Sequence, residues 1–318
     1  MLTPAVLFDL GGVVVGWQPE RAYEQVLPAE EVPAFMAAID FPAWNRAHDA
    51  GRPYADGERA LVERFPQHEA AVLAYRQHFS RTLTGPVPGT SAVIAELQQA
   101  GVRLAALTNW SAETFPVAQQ RFGILRRFAG ILVSGAEGLA KPDPAIFALA
   151  LRRFGFDAAA CTFVDDAPAN VAAARAAGLT ALLFVDAEQL RADLVDLGLL
   201  GPRVVPAEPV LHLTERAVWR RAQAEGGYPW SGRRGTFESE GFVHAGFADQ
   251  LRGTREAKYG DVADEALVVL ELDAARLSVP VVVEDLGSGP FPHLYGPLPV
   301  AEVVAEHPYP VLPSALRR

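Results

Sequence analysis

Over its first 200 residues, the chain alternates short apolar runs with stretches of helical periodicity. The apolar runs predict buried strands at residues 4–9, Val102–Leu107, Gly130–Ser134, Cys161–Val164 and Thr180–Val185. Helical patterns follow at Ser91–Ala100, at residues 144–154 behind the N-cap candidate Asp143, and at Pro168–Ala177. Strands that alternate with helices of this length predict an α/β fold with a doubly wound parallel sheet. Ligands of such sheets bind beyond the carboxyl ends of the strands.

The interval from about residue 16 to residue 85 interrupts this alternation. It contains helical-period stretches at Ala22–Gln25, Glu31–Ile39, Gly57–Phe65 and His68–Phe79, and no clear strand. Because the interval directly follows the first strand, we expect an inserted helical cap above the end of that strand.

The pattern changes after Leu200, where Gly201-Pro202 and Pro206–Pro209 punctuate the chain. We therefore predict a first domain at residues 1–200, a linker at 201–207 and a smaller α+β domain at 208–318. The evidence for the second domain is three aliphatic runs and one helical stretch, at Val210–Leu213, Leu267–Leu272, Val279–Val283 and Arg216–Ala224.

Composition narrows the class of protein. The 318 residues are 50% hydrophobic and 21% charged, which is globular composition. The formal net charge of −10 disfavours long nucleic acid and anionic membranes as partners. The single Cys161 excludes an intramolecular disulfide and a thiolate zinc site. Without a basic leader or a run of roughly 18 apolar residues, we expect a cytoplasmic protein.

Four polar features stand at the ends of four predicted strands or just past them. They are Asp9 in LFDLGG, Thr108-Asn109 in AALTNW, Lys141 in LAKPDP and Asp165-Asp166 in TFVDDAPAN. In a parallel sheet, these features converge on one crevice. Their order and spacing resemble the haloacid dehalogenase superfamily of hydrolases across about residues 1–200.

The resemblance implies a magnesium-dependent hydrolase of small phosphorylated metabolites that works through an aspartyl-phosphate. Asp9 would be the nucleophile, with Thr108, Asn109 and Lys141 as its catalytic partners. The implied Mg²⁺ ligands are Asp9, Asp165, Asp166 and the carbonyl of Gly11. The amides of residues 10–12 would cradle the phosphate.

Gly11 departs from the pattern of most phosphatases of this superfamily, which carry a second Asp there as general acid and base. Loss of such a group typically costs a factor of ~10²–10⁴ in rate. A branch resembling sugar-1-phosphate phosphatases shares the Asp-Leu-Gly pattern. On the cap, His48 and Asp49 are candidate replacements, although we favour a solvated helix end for both.

Two further interpretations stay open for the first domain. The cap residues Trp17, Trp44, Asn45 and Arg46 are candidate substrate selectors, and equally the two tryptophans could pack the core of the cap. The rival functions are a metal-independent dehalogenase and a catalytically weak protein that binds a phosphorylated ligand. The acidic pair Asp165-Asp166 favours the phosphatase over the dehalogenase.

The strings VLHLTERAVWRRAQ, ESEGFVHAG and VEDLGSGPFPHLYGPLP resemble a small bacterial domain of unknown function, numbered 952 among such families, over about residues 208–310. The resemblance implies an ADP-ribosyltransferase-like fold, which by itself does not give a function. The candidate site residues are His212, Thr214, His244, Glu284, His293 and Tyr295, with His293 in a rigid turn.

Five arginines (Arg216, Arg220, Arg221, Arg233 and Arg234) make a nucleotide or another small anion the expected ligand of this domain. The alternatives are a zinc site built from three histidines and Glu284, and histidines with a purely structural role.

Overall fold

The computed structural model describes residues 3–310 and divides into two compact units. Over the described residues, one unit combines residues 3–90 with 101–199, and the other combines residues 91–100 with 200–310. No helix in this described part is both long enough and apolar enough to cross a membrane.

The first unit is built on a five-stranded parallel sheet, in agreement with the prediction. The strands of the unit are β1 (Ala5–Phe8), β2 (Val15–Trp17), β3 (Leu83–Pro86), β4 (Arg103–Thr108), β5 (Ile131–Val133), β6 (Cys161–Asp165) and β7 (Thr180–Leu183). The sheet order is β5-β4-β1-β6-β7, so that β1 lies in the centre between β4 and β6. Every residue of β1 is buried, which explains its continuous apolar run.

Eleven α-helices precede residue 200 in the described chain. They are α1 (Val32–Ala38), α2 (Phe41–Asp49), α3 (Tyr54–Arg64), α4 (Glu69–Gln77), α5 (Phe79–Thr82), α6 (Thr90–Gln99), α7 (Phe115–Arg121), α8 (Ser134–Glu137), α9 (Pro144–Phe154), α10 (Pro168–Ala176) and α11 (Ala187–Asp196). The predicted cap of α9 forms, because the Asp143 carboxylate accepts a hydrogen bond from the amide of Ala145 at 2.8 Å. Nearly all of α6 falls in the second unit, where Ala92 and Ala95 are buried.

Helices α1 to α5 form the predicted cap, but the local structure differs from the periodicity in three places. Ala22–Gln25 is not an α-helix: a 3-10 helix ends at Ala22 and turns follow. Helix α2 was not among the predicted stretches. It starts at Asp40, whose φ of 48° is left-handed and whose carboxylate accepts from the amide of Ala43. Strands β2 and β3 pair antiparallel, with Gly16 opposite Gly85.

The second unit contains two three-stranded antiparallel sheets, ordered β13-β10-β8 and β11-β12-β9. Its elements are β8 (Val210–Glu215), α12 (Arg216–Glu225), α13 (Phe237–Glu240), β9 (Val243–His244), α14 (Leu251–Lys258), β10 (Leu267–Leu272), β11 (Val281–Asp285), β12 (Pro290–Leu294) and β13 (Ala305–Pro308). This is the smaller sheet-rich domain that the aliphatic runs predicted. The ADP-ribosyltransferase-like fold stays a prediction.

One local prediction in the second unit is wrong. His293 does not lie in a rigid turn but inside β12, opposite Val282 of β11 and His244 of β9. The turn was predicted from the segment His293-Leu-Tyr295-Gly-Pro, because Gly296 and Pro297 are typical turn residues, but the strand extends to Leu294 and the chain bends only after it.

Candidate active site

The central strands bring the four predicted motifs to one edge of the sheet. Asp9 directly follows β1, Thr108 ends β4 and Asp165 ends β6. Lys141 precedes α9, and its ammonium Nζ lies 2.9 Å from Asp9 Oδ1 and 2.7 Å from Asp165 Oδ2. Because the side chain of Lys141 is fully buried, this ammonium is a fixed positive charge between two carboxylates.

Asp165 is the most tightly held carboxylate of the group. It is completely buried, and besides Lys141 it accepts hydrogen bonds from the amide of Ala167 at 2.8 Å and from Asn170 Nδ2 at 3.0 and 3.1 Å. Asn170 lies in the TFVDDAPAN motif, but no role for it was predicted from the sequence. Its spacing of five residues from Asp165, across the start of α10, is the signal that could have identified it.

Asn109 and Thr108 differ in what they contact. Asn109 Nδ2 donates to the carbonyl of Lys141, and the Lys141 amide donates to Asn109 Oδ1, both at 2.8 Å. The side-chain amide of Asn109 therefore positions the backbone of Lys141. Thr108 Oγ1, in contrast, is buried without a hydrogen-bond partner. A buried hydroxyl of this kind needs a partner, and a ligand at the strand ends would supply one.

Burial dominates the electrostatics of this edge. It raises the pKa of Asp9 to about 7, against the opposing effect of Lys141 and with further increases from Asp165 and Asp166. Burial lowers the pKa of Lys141, but Asp9 and Asp165 outweigh it and the net shift is upward. Lys141 therefore stays charged, while the three carboxylates together carry more negative charge than this one ammonium balances.

These carboxylates fit a divalent cation. Oxygen atoms of Asp9, Asp165 and Asp166 all lie within 4.8 Å of one another, and this is the one such cluster of potential ligands among residues 3–310. Carboxylate oxygens are the ligands that Mg²⁺ prefers, and the excess negative charge favours a cation over a neutral ligand. A Cβ on Gly12, where φ is +76°, would lie 2.3 Å from Asp166 Oδ2, so glycine is required for this close approach.

The predicted phosphate cradle is only partly available. The amide of Leu10 donates to Asp9 Oδ1 at 2.7 Å, and the amide of Gly12 donates to the carbonyl of Val15 at 2.9 Å. These two amides already have acceptors inside the loop. The contribution of this segment to anion binding therefore stays a prediction.

Comparison with known proteins gives the family. The profile described as haloacid dehalogenase-like hydrolase matches residues 3–178, more than half of the chain. The chain belongs to the haloacid dehalogenase-like hydrolases. A second profile, described as protein of unknown function (DUF952), matches residues 213–306. The two-part architecture that the sequence motifs suggested is thereby confirmed.

Two curated relatives of the hydrolase are phosphatases by name. It is 27% identical over 188 residues to a phosphoglycolate phosphatase of Mesorhizobium japonicum, covering 56% of this chain and 81% of the relative. It is 31% identical over 222 residues to hexitol phosphatase A of Escherichia coli, covering 66% and 91%. A solved structure of a HAD family enzyme from Bacteroides thetaiotaomicron matches 58% of this chain and 95% of its own, with a TM-score of 0.49 and 17% identity.

The cap of the hydrolase is held by an aromatic cluster. Trp44 is buried against Phe41, Tyr54, Tyr75 and His48, with ring centroids 4.5–5.9 Å apart. The alternative that tryptophan packs the core of the cap is therefore right for Trp44. Trp17 is 39% exposed, and it contacts the cluster through the ring of Phe41 and through a hydrogen bond to Tyr75. Arg46 is exposed, and its role as a selector stays a prediction.

The favoured interpretation of His48 and Asp49 as a solvated helix end is wrong. His48 is completely buried, its Nδ1 lies 2.8 Å from the carbonyl of Arg52, and burial lowers its pKa. Asp49 is half-buried, within electrostatic reach of Asp9 and Lys141. Burial raises its pKa to about 7, the charge of Asp9 raises it further, and Lys141 and a hydrogen bond from the Ser111 backbone oppose the increase.

Two further contacts fix Asp49 beside the core. Asn45 Nδ2 donates to Asp49 Oδ2 at 2.9 Å, and the hydroxyl of Ser134, at the start of α8, donates to the Asp49 carbonyl at 2.5 Å. Asn45 is therefore engaged in orienting Asp49. The end of α2 lies against the segments that follow β4 and β5, next to the motif residues.

The candidate site residues of the second unit fall into two groups. His212 is buried, with Nδ1 2.6 Å from the carbonyl of His244 and Nε2 2.7 Å from Tyr228 Oη, which lies 2.8 Å from Thr214 Oγ1. Burial lowers the pKa of His212 to about 4, so the ring is neutral. His212 and Thr214 therefore belong to a buried hydrogen-bond network.

The other four candidates, His244, Glu284, His293 and Tyr295, form the second group. Glu284 Oε1 lies 3.0 Å from His293 Nδ1 and accepts a hydrogen bond from Tyr295 Oη, and the rings of His293 and His244 are 5.5 Å apart. His212, His244, Glu284 and His293 line one cavity, whereas Thr214 and Tyr295 are not among its lining residues. These residues provide no cluster of three metal ligands within the described chain, so the structure does not support the zinc alternative.

Proposed function

We propose that the hydrolase removes phosphate from small phosphomonoesters with the help of Mg²⁺ and through an aspartyl-phosphate on Asp9. The observation that carries the proposal is the cluster of the Asp9, Asp165 and Asp166 carboxylates, of which Asp9 and Asp165 are buried and both contact the ammonium of Lys141. The named activities of the relatives support the phosphatase class. They do not select one substrate among phosphoglycolate, hexitol phosphates and similar molecules.

In the first step, the Asp9 carboxylate attacks phosphorus, and the bond between phosphorus and the alcohol oxygen breaks. Lys141 offsets the negative charge of the nucleophile and of the phosphoryl oxygens, and the unpartnered hydroxyl of Thr108 donates to one of these oxygens. Bound to Asp9, Asp165 and Asp166, Mg²⁺ would supply the charge that lets two anions approach. In the second step, water attacks the same phosphorus, releasing phosphate and restoring Asp9.

We propose Asp49 as the proton donor that replaces the missing acid at residue 11. Gly11 has no side chain that could transfer a proton, and Asp49 is the acidic residue of the cap that lies within electrostatic reach of both Asp9 and Lys141. Protonated, Asp49 gives its proton to the departing alcohol oxygen. Its carboxylate then accepts a proton from the attacking water, so that the two steps balance.

The rival dehalogenase chemistry uses the same nucleophile without a metal, and therefore has no need for two further carboxylates beside it. The rival binding protein would keep the site but lack turnover. For the second unit we propose an accessory role, the binding of a nucleotide or another small anion.

Turnover of 4-nitrophenyl phosphate and of a panel of phosphorylated metabolites tests the hydrolase. We expect phosphate release that requires Mg²⁺ and is lost in Asp9→Asn. Full activity in excess chelator would contradict the metal requirement, and activity of Asp9→Asn equal to that of the wild type would contradict the nucleophile. Tight binding of a phosphorylated compound without turnover would instead favour the binding protein.

A further inference from the structure

The second unit contains a cavity of about 690 Å³. Its wall is formed by β8, by the loop at residues 231–235, by β9, by α14 and by the β11–β12 hairpin. Small-molecule sites typically measure about 300–1,000 Å³, so the cavity has room for a molecule the size of a mononucleotide.

One buried polar atom in this wall has no partner. Ser231 is completely buried, and its Oγ makes no hydrogen bond. The backbone around it is fixed, because the Ser231 amide donates to the carbonyl of Gly235 and the Ser231 carbonyl accepts from the amide of His244, both at 2.8 Å. A buried hydroxyl on a rigid loop normally has a partner, and Ser231 is among the residues that line the cavity.

The ring of His244 lies next to Ser231 in the wall, and its nitrogens are also available for hydrogen bonds to a ligand. It packs edge-on against Phe242 and His293, and no described residue lies within hydrogen-bond distance of its nitrogens. Desolvation lowers its pKa to about 4, with further lowering by His293, Lys258 and His212. The neutral ring offers one donor and one acceptor.

The wall contains three cationic side chains and four carboxylates, and the cations differ in whether they are paired. Arg233 is paired with Asp261 and with Glu215. Arg234 and Lys258 have no ion-pair or hydrogen-bond partner for their side chains among residues 3–310, and both are exposed at the cavity.

The four carboxylates of the wall are mostly engaged. Asp261 is held by Arg233, Glu256 by Arg252 at 3.0 Å, and Glu284 by His293 and Tyr295. Glu240 is the remaining one. The wall therefore has one more carboxylate than it has cations, but three of the four carboxylates already have donors, whereas the donors of Arg234 and Lys258 are available to an anionic group of a ligand.

We propose that this cavity binds a phosphorylated small molecule of nucleotide size, with the phosphate at Arg234 and Lys258 and the uncharged body against Ser231, His244 and Phe291. The proposal makes the accessory role of the second unit specific, and it rests on that role alone. It does not depend on turnover in the first unit.

The test is calorimetric titration of the full-length Asp9→Asn protein in chelator, which keeps the ligand intact. The full chain is needed because residues 91–100 belong to the second unit. The probes are AMP, adenosine and inorganic phosphate. We expect AMP to bind more tightly than either of its parts. Ser231→Ala and Arg234→Ala should each weaken AMP binding by about fivefold to tenfold, since each removes a hydrogen bond to the ligand. The matched control Arg220→Ala, an exposed arginine outside the wall, should change nothing.

Three outcomes overturn the proposal. The first is no binding of AMP or phosphate at millimolar concentration. The second is equal affinity for AMP and adenosine, which would remove the anion from recognition. The third is AMP binding that Lys141→Met abolishes while Ser231→Ala and Arg234→Ala leave it intact, because the ligand would then occupy the first unit. None of these results bears on whether the wild-type protein hydrolyses phosphomonoesters.

Discussion

The residue type of Gly11 shows that a proton donor is missing at this position, but it does not show which residue takes that role. The sequence shows that residue 11 cannot transfer a proton, and this follows from glycine alone. It does not show that α2 places Asp49 where the charges of Asp9 and Lys141 both act on it, because the spacing of 40 residues carries no such information. The helix that creates this proximity was itself not predicted.

Asp49→Asn should affect substrates according to their leaving groups. An alkyl phosphate such as glycerol phosphate needs a proton on the departing oxygen, so kcat should fall by about 10²–10⁴-fold. For 4-nitrophenyl phosphate, whose leaving group departs without a proton, we expect only a small loss in the first step. Steady-state kinetics with both substrates measures the difference. Asp56→Asn, which removes an exposed acid of the cap paired with Arg59, is the control.

A second variant tests the same assignment by rescue. A Cβ added at Gly11 would meet no atom within 4 Å, and the backbone there is not left-handed. Gly11→Asp should therefore be tolerated and should restore part of the alkyl-phosphate activity of Asp49→Asn. Equal losses on both substrates in Asp49→Asn, with no rescue, would show that Asp49 only supports the fold of the cap.

His212 gives the second unit a dependence of stability on pH. Its pKa is lowered to about 4 in the folded state, from 6.5 in the unfolded chain, so the unfolded state binds more protons between these values. The contribution of His212 to stability is therefore complete above pH 6.5 and is lost as the pH falls toward 4. The shift of roughly 2.5 pKa units sets an upper bound of about 3 kcal/mol.

Hydrogen exchange of the β8 and β10 amides, corrected for intrinsic rates, measures this loss at pH 7 and pH 4.5. In His212→Gln the amide can still bond to the His244 carbonyl and to Tyr228, but it cannot titrate. In this variant, the difference in the free energy of exchange between pH 7 and pH 4.5 should be smaller, by up to the contribution of His212. An unchanged difference would mean that His212 is protonated in the native state.

At the scale of elements, the regular core and most of the cap helices were predictable, and the elements that were missed are short or contain glycine or proline. All five sheet strands were found, because each is a buried apolar run flanked by turn residues. Strands β2 and β3 were missed because they are three and four residues long and contain Gly16 and Gly85. In β12, the turn residues Gly296 and Pro297 obscured a strand whose pairing with β11 is set by tertiary contacts.

At Gly57 in α3, two effects of a substitution by alanine oppose each other: the helix preference of alanine and the close packing of the cap. Alanine in a helix interior is favoured over glycine by about 1 kcal/mol. A Cβ at residue 57, however, would lie 2.3 Å from the ring of His48, which is buried and stacked on Tyr54. Overpacking typically costs about 1–3 kcal/mol, so Gly57→Ala should destabilise the cap by up to about 2 kcal/mol.

Urea unfolding followed by circular dichroism measures this effect. Gly253→Ala in α14 is the matched control, because its Cβ would meet nothing within 4 Å and only the helix preference remains. We expect it to be neutral or stabilising. If Gly57→Ala were equally stabilising, the tight packing of His48 against α3 would be wrong.

On the scale of the whole molecule, the net charge of −10 does not describe the charges at the two candidate sites. In the first unit, three carboxylates are gathered where a cation would offset them. In the second unit, two cations of the cavity wall, Arg234 and Lys258, have no partner among the described residues and are available to an anion. An acidic chain can thus present one site for a cation and another for an anion.

If the two sites are separate, each ligand should stabilise the unit that binds it. A ligand present at about 100 times its Kd adds about 2.7 kcal/mol to the unit that binds it. Mg²⁺ should therefore slow hydrogen exchange in β1, β4 and β6, and AMP added to the Asp9→Asn protein in chelator should slow it in β9, β12 and α14. Asp166→Asn should remove the first effect and leave the second, and Arg234→Ala should do the reverse. Protection by Mg²⁺ that persists in Asp166→Asn would place the cation away from the acidic cluster, and would also remove the main support for the metal-dependent mechanism.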